Sequence, residues 1–299
     1  ICDYVSNINE DVVFDIRNEF HMFWFAPFFE NEIPVGFYRL NNILDSKNIK
    51  FYLLIGCEDN EWFDYFKANI SKNFIIEFHP LSIINFTMES FRIGNVDIIN
   101  NSITKNFTHL YINYNNKVRS HRCVMLDELY KNDLFSYGKN SYNIINHNQV
   151  SYKFKHWKEE ILKIDDYKTN TDKIITPTIF DMNCLINLAT ETSTGVLVVT
   201  EKTFKSILLE QPFISLGAKN QNLILQKYGF ELYDELFDYG FDSHPDIEVR
   251  IQGIIDNLIR LKDKDYNSLY NQVENKTKRN KERFLKIYNN KLYYPLILL

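Results

Sequence analysis

Short apolar runs alternate with polar loops and amphipathic helical segments along most of this 299-residue chain. The strand-like runs are short and rich in aromatic or β-branched side chains. They are residues 21–29, 51–56, 74–78, 95–100, 109–114, 184–189 and 211–217. Strands that alternate with helices are typical of βαβ units and of a parallel sheet. The pattern therefore predicts an α/β protein, in which ligands bind outside the carboxyl ends of the strands.

A second folding unit begins near Thr108. Its first strand, residues 109–114, is followed by a polar loop and by a helix over 122–134 with apolar residues at helical spacing. Strand, polar loop and helix form the first βα unit of a Rossmann-like half. The chain is long enough for two domains of about 100–200 residues each. We predict an N-terminal domain over 1–105 and a C-terminal domain over 106–299 that ends in a long helix.

Composition narrows the class of protein. The net charge of −5 argues against a dedicated nucleic-acid-binding protein, because phosphate backbones are bound by clustered Lys and Arg; a local basic groove stays open. No apolar run reaches the ~18 residues of a membrane-spanning helix. The four cysteines form no CxxC pair, which favours thiols in a reducing compartment. We expect a cytoplasmic protein. The Asn, Lys, Ile and Tyr bias indicates an AT-rich coding sequence, as in a virus, a phage or an AT-rich bacterium.

A basic cluster follows the strand at 109–114. It contains Lys117, Arg119, His121 and Arg122 at the start of the predicted helix. Cations at a helix N-terminus oppose the helix dipole, whereas the N–H groups there attract an anion and Arg can bind phosphate bidentately. The cluster predicts an anion site, with a solvated basic loop as the equally weighted alternative.

A second polar cluster opens a helix after an apolar run. Thr200, Glu201 and Lys202 begin it, and Lys205 lies one turn further on. The lysines could bind a diphosphate, and the Glu201 carboxylate could accept hydrogen bonds from a ribose diol. The alternative is a helix cap formed by Thr200 with Glu201 in the favourable first turn, and both interpretations can hold together. Glu191, taken alone, would be a surface carboxylate.

The segment from Glu191 onward resembles the donor-binding signature of the α1,3-fucosyltransferases, carbohydrate-enzyme family 10. That family has Phe-Glu-Asn after a strand, then Val-Thr-Glu-Lys opening a helix, then a strand through Pro-Val or Pro-Ile. Here Glu191 matches the first glutamate, residues 199–202 read VTEK, and residues 212–214 read PFI. The family's Arg followed by Asp-X-Leu is matched by Arg122 and residues 127–129. The resemblance covers about residues 108–245 and extends to glycosyltransferase-like proteins of large phages and viruses.

The resemblance implies a GT-B glycosyltransferase, with two Rossmann-like domains facing a cleft and no cofactor beyond the nucleotide-sugar donor. It implies that Arg122 and Lys202 neutralise the donor diphosphate, that Glu201 holds the ribose, and that Glu191 lies beside the sugar or ribose. Arg119 and Lys205 are added by charge and position. GDP-fucose is the first choice of donor, a glycan hydroxyl is the expected acceptor, and inversion is the expected outcome. Thr190 and Thr192 replace the family's Phe and Asn, which leaves the sugar open.

Charge on the leaving diphosphate needs a stabilising partner, either fixed cations or a metal ion. Metal-dependent transferases usually present Asp-X-Asp after a strand, and the one nearby match, Asp263 with Asp265, lies in a charged segment between predicted helices. We predict that Asp263 and Asp265 face solvent and that the enzyme is metal-independent.

An inverting transfer also needs a base for the acceptor hydroxyl, which we expect from the N-terminal domain. The candidates are Glu30, Glu32 and Glu89, with exposed loop acids as the alternative. His21 and His79 are further options, although a lone His in an apolar run is more often a core residue. Two rival functions stay open: a phage-type DNA base glycosyltransferase and a non-catalytic protein that binds nucleotide sugars.

Overall fold

The chain forms two parallel β-sheets with helices between the strands. The computed structural model describes residues 2–16, 35–57, 63–81, 83–84, 87–88, 105–115, 118–142, 152–158, 160–162 and 183–290. The prediction of an α/β protein with parallel, Rossmann-like sheets is confirmed. The predicted strands at 21–29 and 95–100 lie outside the described residues.

The first sheet has three strands in the order β1-β2-β3. They are β1 (Val12–Ile16), β2 (Phe51–Ile55) and β3 (Phe74–Phe78), with helices α1 (Cys2–Ser6), α2 (Val35–Lys47) and α3 (Asp64–Asn69). Strands β2 and β3 coincide with predicted apolar runs, and they pair in parallel from Phe51–Phe74 to Ile55–Phe78. Aromatic rings hold α3 on the sheet, since Phe66 meets Phe74 edge to face with centroids 5.6 Å apart.

The second sheet has four strands in the order β5-β4-β6-β7. They are β4 (His109–Asn113), β5 (Gly138–Asn140), β6 (Cys184–Thr190) and β7 (Phe213–Leu216). In the described ranges, the α-helices that accompany them are α4 (Ser120–Lys131), α5 (Glu201–Leu208), α6 (Ile224–Lys227), α7 (Ile247–Leu261) and α8 (Tyr266–Asn289). All seven residues of β6 are buried, as expected for a strand with a neighbour on each side and helices over the sheet.

The order of the second sheet contains a switch point between β4 and β6. The chain runs from β4 outward to β5 on one side, and then returns to β6 and β7 on the other. In open α/β sheets, the crevice at such a reversal, outside the carboxyl ends of the strands, is where ligands bind. The topology therefore directs attention to the loops that follow β4 and β6.

The loop between β6 and α5 also reaches the first sheet. Its Val196 and Val198 are buried in the hydrophobic cluster that includes Ile55 and Cys57 at the carboxyl end of β2. The boundary predicted near residue 105 falls between β3 and β4, and the division into two domains remains a prediction. None of the described helices has the length and apolar character needed to cross a membrane.

Lys105 lies at the predicted domain boundary and contacts two distant parts of the chain. Its Nζ donates to the Glu210 carbonyl and, at 2.5 Å, to the Tyr270 hydroxyl on α8. Burial lowers the pKa of Lys105 to about 7 from an ordinary value of 10.5, against the opposing effect of Glu210. Between these two values the unfolded chain binds more protons than the folded chain, so stability rises with pH.

We expect Lys105→Met to remove this pH dependence. The wild-type protein should gain on the order of 1–2 kcal/mol of unfolding free energy between pH 7 and pH 9 from this group, and the variant should not. Urea denaturation at pH 6, 7.5 and 9 measures the difference. Lys264→Met, which removes an exposed lysine from the segment between α7 and α8, is the control. An unchanged pH profile in Lys105→Met would show that Lys105 is not the group responsible.

Candidate functional site

Two helices begin at the switch point of the second sheet. Helix α4 follows β4 and helix α5 follows β6, and these strands are neighbours. Arg119 is the N-cap of α4, and its side chain makes no capping hydrogen bond. Thr200 caps α5, and its hydroxyl accepts from the Lys202 N–H, as the alternative interpretation predicted. Two helix starts at one sheet edge bring two sets of backbone N–H donors and two positive dipole ends together.

Arg122 is buried at the switch point, with 3% of its surface exposed. Its Nη2 donates to the carbonyl oxygens of Thr190 and Glu191, both at 3.0 Å. Burial lowers the pKa of Arg122 to about 10, so the guanidinium keeps its charge at neutral pH. The side chain thus fixes the chain where it leaves β6 and places a positive charge between the two helix starts.

The neighbouring His121 supports the same segment. Its Nε2 lies 2.9 Å from the Glu191 carbonyl oxygen, which can only accept, so the proton is on Nε2. Burial, with Arg122 beside it, lowers the pKa of His121 to about 3. The imidazole is therefore neutral at physiological pH and acts as a hydrogen-bond donor rather than a cation.

Glu191 is fully buried beneath the start of α5. Its Oε1 accepts from the Thr200 N–H at 3.2 Å and from the Thr203 hydroxyl at 2.9 Å, and its Oε2 accepts from the Thr200 hydroxyl. Burial raises the pKa of this carboxyl group. Both oxygens are engaged inside the protein, so the contacts of Glu191 stabilise the helix start. The contact with a donor sugar or ribose, expected from the resemblance, remains a prediction.

The other predicted donor-binding residues lie on the two helix starts. Lys202 is buried, with its Nζ 3.8 Å from the Glu201 carboxylate, which is partly exposed. Lys205 is also buried, and its Nζ lies 4.6 Å from the centre of the Tyr114 ring in the loop after β4, a cation–π distance. Arg119 is exposed. The structure therefore brings the six predicted residues to the same sheet edge, on α4, on α5 and on the loop between β6 and α5.

A buried amide at this edge was not singled out from the sequence. The Asn115 N–H donates to the Ser141 hydroxyl at 2.9 Å, and the Thr190 hydroxyl donates to Asn115 Oδ1 at 2.5 Å. These bonds connect the ends of β4, β5 and β6. Asn115 Nδ2 is buried and has no hydrogen-bond partner within the described part of the chain. The only signal in the sequence was a polar residue directly after a strand.

The predicted base candidates are not placed. Glu30, Glu32, Glu89 and His21 lie outside the described residues. His79 follows β3, and its Nε2 lies 3.2 Å from Glu77 Oε2, with both side chains partly buried. His79 is therefore paired with a carboxylate at the carboxyl end of the first sheet and is not a lone histidine in the core. The role of His79 as a base remains a prediction.

The Asp-X-Asp match has contacts of its own. Asp263 accepts from the Tyr137 hydroxyl at 2.9 Å and Asp265 caps α8; both are exposed, as predicted. Over the ranges that the structure describes, no group of three or more His, Cys, Asp or Glu side chains is arranged to hold a metal ion. Metal independence itself remains a prediction.

Comparison of the chain with models of protein families, with curated proteins and with solved structures finds no match. The resemblance to the fucosyltransferases therefore stays an expectation that rests on the short motifs named above.

Proposed function

We propose that the protein is a glycosyltransferase that binds a nucleotide sugar at the switch point of the four-stranded sheet and transfers the sugar to an acceptor hydroxyl. The observation that carries this proposal is the convergence of two helix N-termini with Arg119, Arg122 and Lys202 between β4 and β6. A diphosphate is the anion that two adjacent helix starts and several cations match in size and charge.

The arrangement suits the chemistry of sugar transfer. As the bond between sugar and diphosphate breaks, negative charge develops on the leaving phosphate oxygens, and positive groups fixed in advance stabilise it in the transition state. Arg122 is held by two carbonyls and Lys202 by burial against Glu201, so neither group needs to be reorganised during the reaction. Glu201, partly exposed beside Lys202, is positioned to accept hydrogen bonds from a ribose diol.

The proposal includes the GT-B arrangement, with residues 1–105 on the acceptor side. It is supported by the loop between β6 and α5, whose Val196 and Val198 pack into the core of the first sheet. This loop would place the donor next to the carboxyl edge of that sheet, from which the base is expected. GDP-fucose remains the first choice of donor, with transfer that inverts the anomeric carbon and needs no metal ion.

Lys202→Ala tests the donor site directly. We expect the dissociation constant of GDP or UDP to rise about 10- to 100-fold, since a hydrogen bond to a charged group contributes about 1.5–3 kcal/mol. Titration calorimetry in EDTA, repeated with Mg²⁺, measures the affinity. The control is Lys264→Ala, an exposed lysine just after α7, which should bind as the wild type does.

The wild-type protein and Lys202→Ala also distinguish the rival functions. Slow hydrolysis of a nucleotide sugar that is lost in Lys202→Ala favours a transferase, and binding without any turnover favours a non-catalytic binding protein. A DNA base glycosyltransferase would bind duplex DNA with a steep salt dependence. If no nucleoside diphosphate or nucleotide sugar binds at millimolar concentration, the proposal is wrong and residues 199–202 serve as a helix cap.

A further inference from the structure

The buried amide of Asn115 has an unusual hydrogen-bonding state for this sheet. Asn113 Nδ2 lies 3.5 Å from Asn140 Oδ1, Asn140 Nδ2 donates to the Tyr111 hydroxyl at 3.1 Å, and Asn187 Nδ2 donates to Ser206 at 2.6 Å. Among these four amide nitrogens, only Asn115 Nδ2 has no acceptor in the part of the chain that the structure describes. Buried polar atoms are almost always hydrogen-bonded, because leaving one unsatisfied is costly, so this exception needs a cause.

The side chain is held so that Nδ2 is the end left over. The backbone N–H of Asn115 is fixed to the Ser141 hydroxyl, and the amide oxygen accepts from Thr190. With the oxygen occupied, the remaining chemistry of the group is that of an N–H donor. Its natural partner is an oxygen atom that accepts hydrogen bonds.

The surroundings indicate which oxygen this is. Asn115 lies in the loop that leads from β4 to α4, and its partner Thr190 is also the residue whose carbonyl oxygen binds Arg122. The amide is therefore linked through one residue to a buried guanidinium at the switch point, between the starts of α4 and α5. A buried guanidinium and two helix N-termini at this sheet edge favour an anionic oxygen.

We propose that Asn115 binds the donor, with its Nδ2 donating a hydrogen bond to an oxygen of the nucleoside diphosphate. The inference rests on the proposed function and adds a residue that the sequence motifs do not contain. Because Nδ2 is covered in this structure, the phosphate oxygen reaches it only when the side chain or its cover shifts locally. As a neutral hydrogen-bond donor, Asn115 Nδ2 orients the phosphate oxygen, whereas the charged groups of the site attract the diphosphate.

The test uses titration calorimetry of the whole chain in EDTA with three probes: inorganic pyrophosphate, GDP and UDP. Asn115→Ser removes Nδ2 and keeps a hydroxyl near Thr190, and we expect at least a 10-fold weaker affinity for each probe that the wild type binds. Asn115→Asp keeps the shape but replaces the donor with an oxygen, so its loss should be larger, about 100-fold. Asn140→Ala is the matched control, a buried asparagine at the same edge whose Nδ2 is bonded to Tyr111.

Each outcome of this test supports or contradicts the Asn115 contact. Asn140→Ala should melt at a lower temperature yet bind within about threefold of the wild type, which separates damage to the sheet edge from loss of a ligand contact. If the wild type binds a nucleotide and both Asn115 variants bind equally well, the inference is wrong and the proposed function stands. If pyrophosphate binds in an Asn115-dependent way but neither nucleotide binds, the anion contact is supported and the nucleotide-sugar function is not. If no probe binds the wild type, both are overturned.

Discussion

Replacement of Glu191 by alanine is expected to lower the free energy of unfolding by about 3 kcal/mol, because a buried donor left without an acceptor costs about 1–3 kcal/mol. The Thr200 N–H and the Thr200 hydroxyl would lose their acceptor, and the Thr203 hydroxyl would keep only Ser215 as a partner. The N-cap residue of α5, Thr200, would lose the side chain that holds it, one turn before Phe204 packs against Phe284 of α8 at 5.7 Å. Urea denaturation of the two proteins measures the difference.

Glu191→Gln is the matched variant, since its amide oxygen can still accept from the Thr200 N–H and the Thr203 hydroxyl. We expect a loss of about 1 kcal/mol, the size of one hydrogen bond. Burial raises the pKa of Glu191, so its contribution to stability is complete below the unfolded pKa of about 4.5 and declines as the pH rises through the folded value. Glu191→Gln should remove that decline.

The variants Glu191→Ala and Glu191→Gln also distinguish a structural role of Glu191 from a contact with the donor. If the carboxyl group only holds the N-cap residue Thr200, Glu191→Gln should keep the wild-type affinity for a nucleotide sugar. A loss of affinity in Glu191→Gln without a loss of stability would instead show that the side chain contacts the donor, as the resemblance implies. Equal stability of Glu191→Ala and wild type would contradict the capping role seen in the structure.

Strands with continuous apolar runs could be predicted from the sequence. β2, β3, β4, β6 and β7 are all found at the predicted runs, because burial on both faces of a parallel sheet requires apolar residues at consecutive positions. The pattern missed β1, in which Val13 is 41% exposed, and β5, a strand of three residues, GKN. The edge strands β1 and β5 lack a continuous apolar signal, whereas the edge strands β3 and β7 carry one and were predicted from it. Helix α2 was also missed, since its sequence is nearly as polar as apolar.

The site could be predicted only in its local part. The starts of α4 and α5 are encoded by short motifs. The structure therefore places at these two helix starts the charged residues that the sequence indicated: Arg119, Arg122, Glu201, Lys202 and Lys205. What could not be predicted are contacts between residues far apart in the chain. The bond from Thr190 to Asn115 spans 75 residues, and the bond from Arg122 to the Glu191 carbonyl spans 69. Such contacts depend on the order of strands in the sheet, which one sequence does not contain.

The largest loss of stability is expected from Asp127→Ala in helix α4. Asp127 is 1% exposed, and its carboxylate binds one distant segment, residues 152–158, which contains Tyr152 and Trp157. Oδ1 accepts from the N–H groups of His156 and Trp157, and Oδ2 accepts from the Lys155 N–H and the Tyr152 hydroxyl, all at 2.8–2.9 Å. Alanine would leave three backbone N–H groups without their acceptor, at about 3–5 kcal/mol in total.

The same network sets the pH range in which Asp127 contributes. Burial raises the pKa of Asp127, but the hydrogen bonds from Trp157, Lys155, His156 and Tyr152 outweigh it and lower the pKa below its ordinary value. The stabilisation is therefore present above about pH 4, the pKa in the unfolded chain, and is lost as the pH falls through the folded value. Urea denaturation from pH 3 to pH 7 should show the gap between wild type and Asp127→Ala closing at the acid end. Glu128→Ala, which removes a pair with Lys131 and a long hydrogen bond from Asn132 Nδ2, should cost less than about 1 kcal/mol. A comparable loss in both variants would mean that the carboxylate of Asp127 does not hold the segment.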